Sequence, residues 1–253
     1  MYQNFGVAAL VIGPANTYTG ATQVLGGRLD INTSERLPDG TDLTVTAPGR
    51  VVILGGGTET VGSLAGDGQV LFAFSPGASL RVGQNNASTV FSGFITGSVG
   101  GAVTVNAGGT LAPGISPGIL IVGSSTFKSD SQFAIDLVGS GGVAGTDFDQ
   151  LIVLGGVDLV GDPILSVLSS GGFLPTVGDE FPVLTWQTGL SGTFDLLVDP
   201  FFLANDISIQ SIITNAGGAG DLTLRAVPET ASLALLGLGA LAVLAQRRHK
   251  NLS

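Results

Sequence analysis

The chain has 253 residues, 44% of them hydrophobic and only 11% charged, with 41 glycines, no cysteine and a formal net charge of −10. The apolar content suffices to bury a core, the missing cysteines exclude disulfides and thiol catalysis, and the acidity speaks against nucleic acid as a partner. Before residue 227 the imbalance is sharper, with 18 acidic and 6 basic groups, and its plain reading is a solvated, self-repelling exterior that keeps a glycine-rich protein soluble.

The first residues, MYQNFGVAALVIG, carry no Lys or Arg before their apolar stretch and no small-x-small cleavage site, so they do not read as a signal peptide. GVAALVIG reads as a strand entered partway. The expectation is a chain that continues upstream into an export signal.

From Gly13 to Gly114 short alternating runs are joined by small-residue turns. Four copies of one phrase align: TQVLGGRLDI (22–31), LTVTAPGRVVIL (43–54), LFAFSPGASLRVG (71–83) and VTVNAGGTLAPG (103–114). Their turn glycines Gly27, Gly49, Gly77 and Gly109 stand at unequal steps that lengthen along the chain, all near the length of one solenoid coil. The pattern sends Val45, Leu80, Val82, Val103 and Val105 inward, with glycine turning the corners. A β-sandwich, in which short alternating strands are likewise separated by frequent turns, competes on periodicity alone.

The wording of these runs resembles the autotransporter-associated β-strand repeat of passenger domains. GPANTYTGATQVLGGRLDI (13–31), with Asn16 to Gly20 at its centre, carries most of the likeness. It continues through GGTLAPGISPGILIV (108–122), TDFDQLIV (146–153), VGDEFPVL (177–184) and LSGTFD (190–195). The resemblance implies an all-β chain wound as a right-handed parallel β-helix and displayed outside the cell, with no single shared chemistry. The expected division is a solenoid over residues 1–123 and an all-β continuation, cap or small sandwich over 124–226, with a soft boundary near Gly123.

Candidate chemistry in the body is sparse. The only histidine, His249, lies in the tail, which excludes histidine triads from the body, and no cofactor is expected. Asp147 and Asp149 alternate after glycines as in a calcium loop, but no bidentate Glu follows and no nonapeptide repeats, so a loop entering a strand is the favoured reading. Asp179 and Glu180 are adjacent carboxylates that suit a turn edge better than a glycosidase pair. The body's cations, Arg28, Arg36, Arg50, Arg81, Lys128 and Arg225, are scattered along the chain. Tyr18, Phe72, Phe74, Phe91, Phe94 and Trp186 would make a sugar-stacking platform only if exposed; core packing is the plainer expectation, with Trp186 the exception worth testing. Thr17, Thr19, Thr44 and Thr46 are too few for a water-ordering ladder.

The tail is the most specific part of the chain. Val227, Pro228 and Glu229 precede an uncharged run from Ala231 to Ala245, in which Leu233, Leu235, Leu236, Leu238, Leu241 and Leu244 each favour insertion by about 0.5 kcal/mol. As a helix this run spans about 22 Å of a core about 30 Å thick, so crossing requires thinning or snorkelling by the basic stop Arg247, Arg248 and Lys250, which would stay on the cytoplasmic side. The segment from 227 to 250 resembles the PEP-CTERM sorting signal of Gram-negative bacteria, with Thr230 where a second proline is usual. The resemblance implies an exosortase-type processing partner, a C-terminal transmembrane helix and export to the cell envelope, surface or extracellular matrix. The resulting expectation is a non-enzymatic structural or adhesion protein of matrix or biofilm, with extracellular polysaccharide as a candidate partner. A carbohydrate-binding or carbohydrate-active β-helix and a calcium-dependent adhesin are its rivals.

Overall fold

A computed structural model describes residues 2–3, 9–12, 15–73, 77–91, 93–97, 101–113 and 117–229. The chain opens with β1 (Tyr2–Gln3) and β2 (Ala9–Ile12), then β3 (Thr22–Val24) and β4 (Arg28–Ile31). Three-strand coils follow. They are β5 (Asp42–Val45), β6 (Arg50–Leu54) and β7 (Thr58–Thr60); β8 (Ser63–Gly66), β9 (Gln69–Ala73) and β10 (Ser79–Val82); β11 (Ser88–Phe91), β12 (Phe94–Gly97) and β13 (Ala102–Val105). The next are β14 (Thr110–Pro113), β15 (Ile119–Val122) and β16 (Ser124–Phe127); β17 (Gln132–Leu137), β18 (Gln150–Val153) and β19 (Gly156–Leu159); β20 (Ile164–Ser169), β21 (Glu180–Trp186) and β22 (Gly189–Ser191). β23 (Asp195–Val198) then leads to a one-turn helix, α1 (Pro200–Leu203), and to the hairpin of β24 (Ile207–Thr214) and β25 (Gly220–Pro228).

Every full coil contributes one strand to each of three faces. The first face is a nine-stranded sheet, β1-β3-β5-β8-β11-β14-β17-β20-β23, and the third is β7-β10-β13-β16-β19-β22. The second divides into β2-β4-β6-β9-β12 and β15-β18-β21-β25-β24. Pairing is parallel throughout until β25, which runs antiparallel to both β21 and β24. The result is an all-β, β-helix-like solenoid in which each strand neighbours its counterpart one coil on.

Alternation drives the stacking. In β17 the pattern from Gln132 to Leu137 is strictly half-buried then buried, which puts Phe133, Ile135 and Leu137 inside. Parallel register then sets like upon like: Leu80 on Val103, and Val82 on Val105 on Phe127 on Leu159. Val45 is likewise buried. Phe127, Phe133 and Phe194 cluster with ring centroids 5.5 to 6.0 Å apart, filling the wider coils near the C-terminal end. Gly66 is obligatory at its corner: its φ is +105°, and a Cβ would lie 2.2 Å from the Val45 carbonyl oxygen.

Coil length differs from the sequence-derived spacing. Thr22 pairs with Leu43 and Leu43 with Leu64, two equal steps, and the step from Thr110 to Gln132 is longer by a single position. From Thr22 to Gln132 the coil keeps a length of 21 to 25 residues, with no steady increase, where the glycine steps grow. The phrases at 22–31 and 43–54 mark the same corner, between the first and second faces. The phrase at 71–83 turns from the second face to the third, and that at 103–114 from the third back to the first. One small-residue turn serves all three corners, so aligning Gly77 and Gly109 with Gly27 and Gly49 mixed corners. The last two coils are longer: Gln132 to Ile164 takes in the 138–149 loop, and Ile164 to Asp195 takes in the 170–179 turn segment.

Gly123 lies at the corner between β15 and β16, and the first and third sheets run across it unbroken. Residues 124–198 continue the same parallel stacking, and the antiparallel β24–β25 hairpin closes that end.

A candidate ligand groove on the third face

Outward residues of the third face form one row across six strands, Thr60, Arg81, Thr104, Thr126, Asp158 and Ser191, each beside the next in register. With strands about 4.8 Å apart, Thr60 and Asp158 stand about 19 Å apart along the solenoid axis. Gln84, Asn106 and Lys128 flank this row, and the loop bearing Glu35 and Asp39 closes one end, enclosing a polar groove of about 450 Å³.

The loop is built onto the sheet edge by side chains. Glu35 holds a positive φ of 51° and accepts from both Thr60 N and Thr60 Oγ1 at 3.0 Å, while its own N–H donates to the Thr58 carbonyl at 3.0 Å. Ser34 Oγ accepts from Thr58 N at 3.1 Å. The groups that β7 would present to solvent at its edge are thus capped. From inside, Glu59 is fully buried and accepts from Arg36 N at 2.9 Å and Leu37 N at 2.6 Å. Burial pushes its carboxyl up to about 7; the two N–H donors pull the other way, and the charges of Glu35 and Asp39 add to the rise.

Within the groove Asn106 Nδ2 donates to Gln84 Oε1 at 3.2 Å, and Asp158 accepts from Ser191 Oγ. Arg81 and Lys128 are exposed and make no ion pair among the described residues. By contrast Arg28 pairs with Asp30, and Arg225 faces Glu180 at 3.6 Å. The groove therefore offers two uncommitted cations between hydroxyl and amide side chains, with carboxylates at its ends. Lateral register creates this grouping. Arg81 and Lys128, two full coils apart in the chain, come within two strands of each other.

The other sequence-derived candidates are placed elsewhere. Asp147 accepts from Val143 N at 2.8 Å, and buried Asp149 accepts from Gly118 N at 2.7 Å and Asp136 N at 2.9 Å, so both carboxylates tie down backbone around the 138–149 loop. No group of three or more potential metal-binding side chains occurs among the described residues. Asp179 accepts from Thr176 N at 2.8 Å in a turn, and Glu180 starts β21. Trp186 is only 2% exposed and Phe72 and Phe91 are buried, which removes them from any stacking platform; Phe74 and the side chain of Phe94 lie outside the described residues. Tyr18 is half-buried, its hydroxyl bonded to Thr22 Oγ1. Thr44 has Gln23 and Ala65 as lateral neighbours, so no threonine row forms there.

Val227 and Pro228 end β25 opposite Ser208 and Ile207, and Glu229 N donates to the Asp206 carbonyl at 3.0 Å. The anchor leucines (Leu233, Leu235, Leu236, Leu238, Leu241, Leu244) and the basic stop (Arg247, Arg248, Lys250) lie outside the described residues. Among those described, no helix is long and apolar enough to cross a membrane. No protein-family model matches the chain, and no curated protein is similar to it.

Proposed function

We propose that the protein is an exported, non-enzymatic structural or adhesion component of the cell surface or extracellular matrix, sorted by its C-terminal segment. In this reading the coils wind right-handed, as parallel crossovers do. The run from Ala231 to Ala245 serves as a transmembrane helix, with Arg247, Arg248 and Lys250 as its cytoplasmic stop, until an exosortase-type enzyme acts on Val227 to Glu229. The observation that supports the reading is the order of the segments along the chain. Among the described residues the last buried core residue is Ala226, and β25 finishes at Pro228 on the closing hairpin, so the uncharged run from Ala231 to Ala245 begins just past the last described strand.

The polar groove favours a second function within the first: binding an extended, hydroxyl-rich polysaccharide along the solenoid axis. A sugar polymer presents repeating hydroxyls, and the groove presents repeating Thr, Asn and Gln between Arg81 and Lys128. Glu35 is engaged in holding Thr60, which suits a binding surface rather than acid and base catalysis. The test of sorting is to delete residues 227–253 in a host that encodes an exosortase and to fractionate the cells. The shortened protein should be lost from the envelope; retention there at the full-length level would overturn the proposal.

A further inference from the structure

Among the described residues β24 ends the sheet β15-β18-β21-β25-β24 and pairs on one side only. Its phase follows from its neighbours. Glu229 N bonds to Asp206 O, and Ala226 exchanges bonds with the Gly178–Asp179 side, so alternate residues Val227 and Arg225 bond to Ser208 and Gln210. The N–H and C=O groups of Ile209, Ser211 and Ile213 therefore point to the open edge. α1 packs near β24, and Ile207 and Ile209 are buried, but from Gln210 to Thr214 the strand is largely exposed.

This edge lacks the features that usually protect one. The strand ISIQSIIT contains no charge, no proline and no glycine, whereas β22 is very short and β23 carries Asp195. In a chain of net charge −10 such a strand is a place where two copies can meet without juxtaposing like charges. We propose that β24 pairs antiparallel with β24 of a second copy about a two-fold axis at Ser211, joining two five-stranded sheets into one of ten. Ser211 then faces its own counterpart, and Ile209 faces Ile213 of the other copy. Identical strands satisfy this arrangement by symmetry.

The chain has no cysteine, so single replacements report the register directly. Ser211→Cys places two thiols on residues about 5.5 Å apart, whereas Ser208→Cys places them about 20 Å apart along the strands. The full chain in mild detergent is treated with a short bis-maleimide at micromolar protein concentration. Ser211→Cys should cross-link to a dimer at least five times more than Ser208→Cys. Equal cross-linking of the two, or none with Ser211→Cys, would overturn the proposal. Ser211→Pro leaves the bonds to β25 intact and removes the central edge donor, so the dimer should be lost with the melting temperature shifted by no more than a few degrees. A dimer that survives this change would also overturn the pairing.

Discussion

Leu37 donates its backbone N–H to Glu59 Oε1 at 2.6 Å from a loop that packs against the β7 edge of the third face, so a buried carboxyl stands where, among the described residues, that face has no further strand. Arg36 N supplies the second bond at 2.9 Å. One side chain thereby fastens the loop that carries Glu35 and Asp39 to the mouth of the groove.

That carboxyl makes stability depend on pH. Its folded value, about 7, lies above the ordinary 4.5, so between these values the folded state holds the proton and the unfolded state does not. Stability from this group is fully present below about pH 4.5 and is lost as pH rises through about 7, by up to about 3 kcal/mol. Urea unfolding at pH 5 and pH 8 should show the decline, and Glu59→Gln should flatten it. Glu59→Gln should also be less stable than the parent at pH 5 by about 1–3 kcal/mol, because one of the two N–H donors then meets an amide NH2.

Gly66→Ala should cost more than about 2 kcal/mol, since the new methyl meets the Val45 carbonyl and the backbone angle is hostile to L residues. Gly20→Ala, with nothing within 4 Å of the added carbon, should change stability by less than about 0.5 kcal/mol. Parallel thermal melts of the two variants separate corner geometry from a general effect of replacing glycine.

Calcium at millimolar concentration should leave the melting temperature unchanged, because Asp147 Oδ2 and both Asp149 oxygens accept from backbone N–H groups. Asp149→Ala should destabilise by about 2–4 kcal/mol through the two N–H donors it strands. A rise of several degrees with calcium would favour the calcium-dependent adhesin instead.

Arg81→Ala combined with Lys128→Ala should weaken binding of alginate, an acidic polysaccharide, at least tenfold in titration calorimetry, with dextran as a neutral comparison. Both side chains are exposed and without ion pairs among the described residues, so the melting temperature should hold. Unchanged alginate affinity would remove the groove as its site.

The strands and their inward faces were legible because alternation is a local signal: Val45, Val103 and Val105 are buried as their spacing requires. Corner identity was not, since Gly27 and Gly77 follow similar phrases yet turn different corners. The groove was hidden for a related reason. Thr60, Arg81, Thr104, Thr126 and Asp158 each lie a whole coil from the next along the chain, and only lateral register makes them one row. Glu59 carries no local signal of its role, because the loop donors that bury it come a full coil earlier, at Arg36 and Leu37.

Tryptic peptides provide the most direct test of tail-dependent export. No Lys or Arg occurs between Arg225 and Arg247, so a single peptide, residues 226–247, reports an intact junction. Mass spectrometry of cytoplasmic, envelope and medium fractions should find body peptides in the envelope and medium, with the 226–247 peptide depleted in the medium. Body peptides confined to the cytoplasm, together with an undiminished 226–247 peptide, would contradict the account.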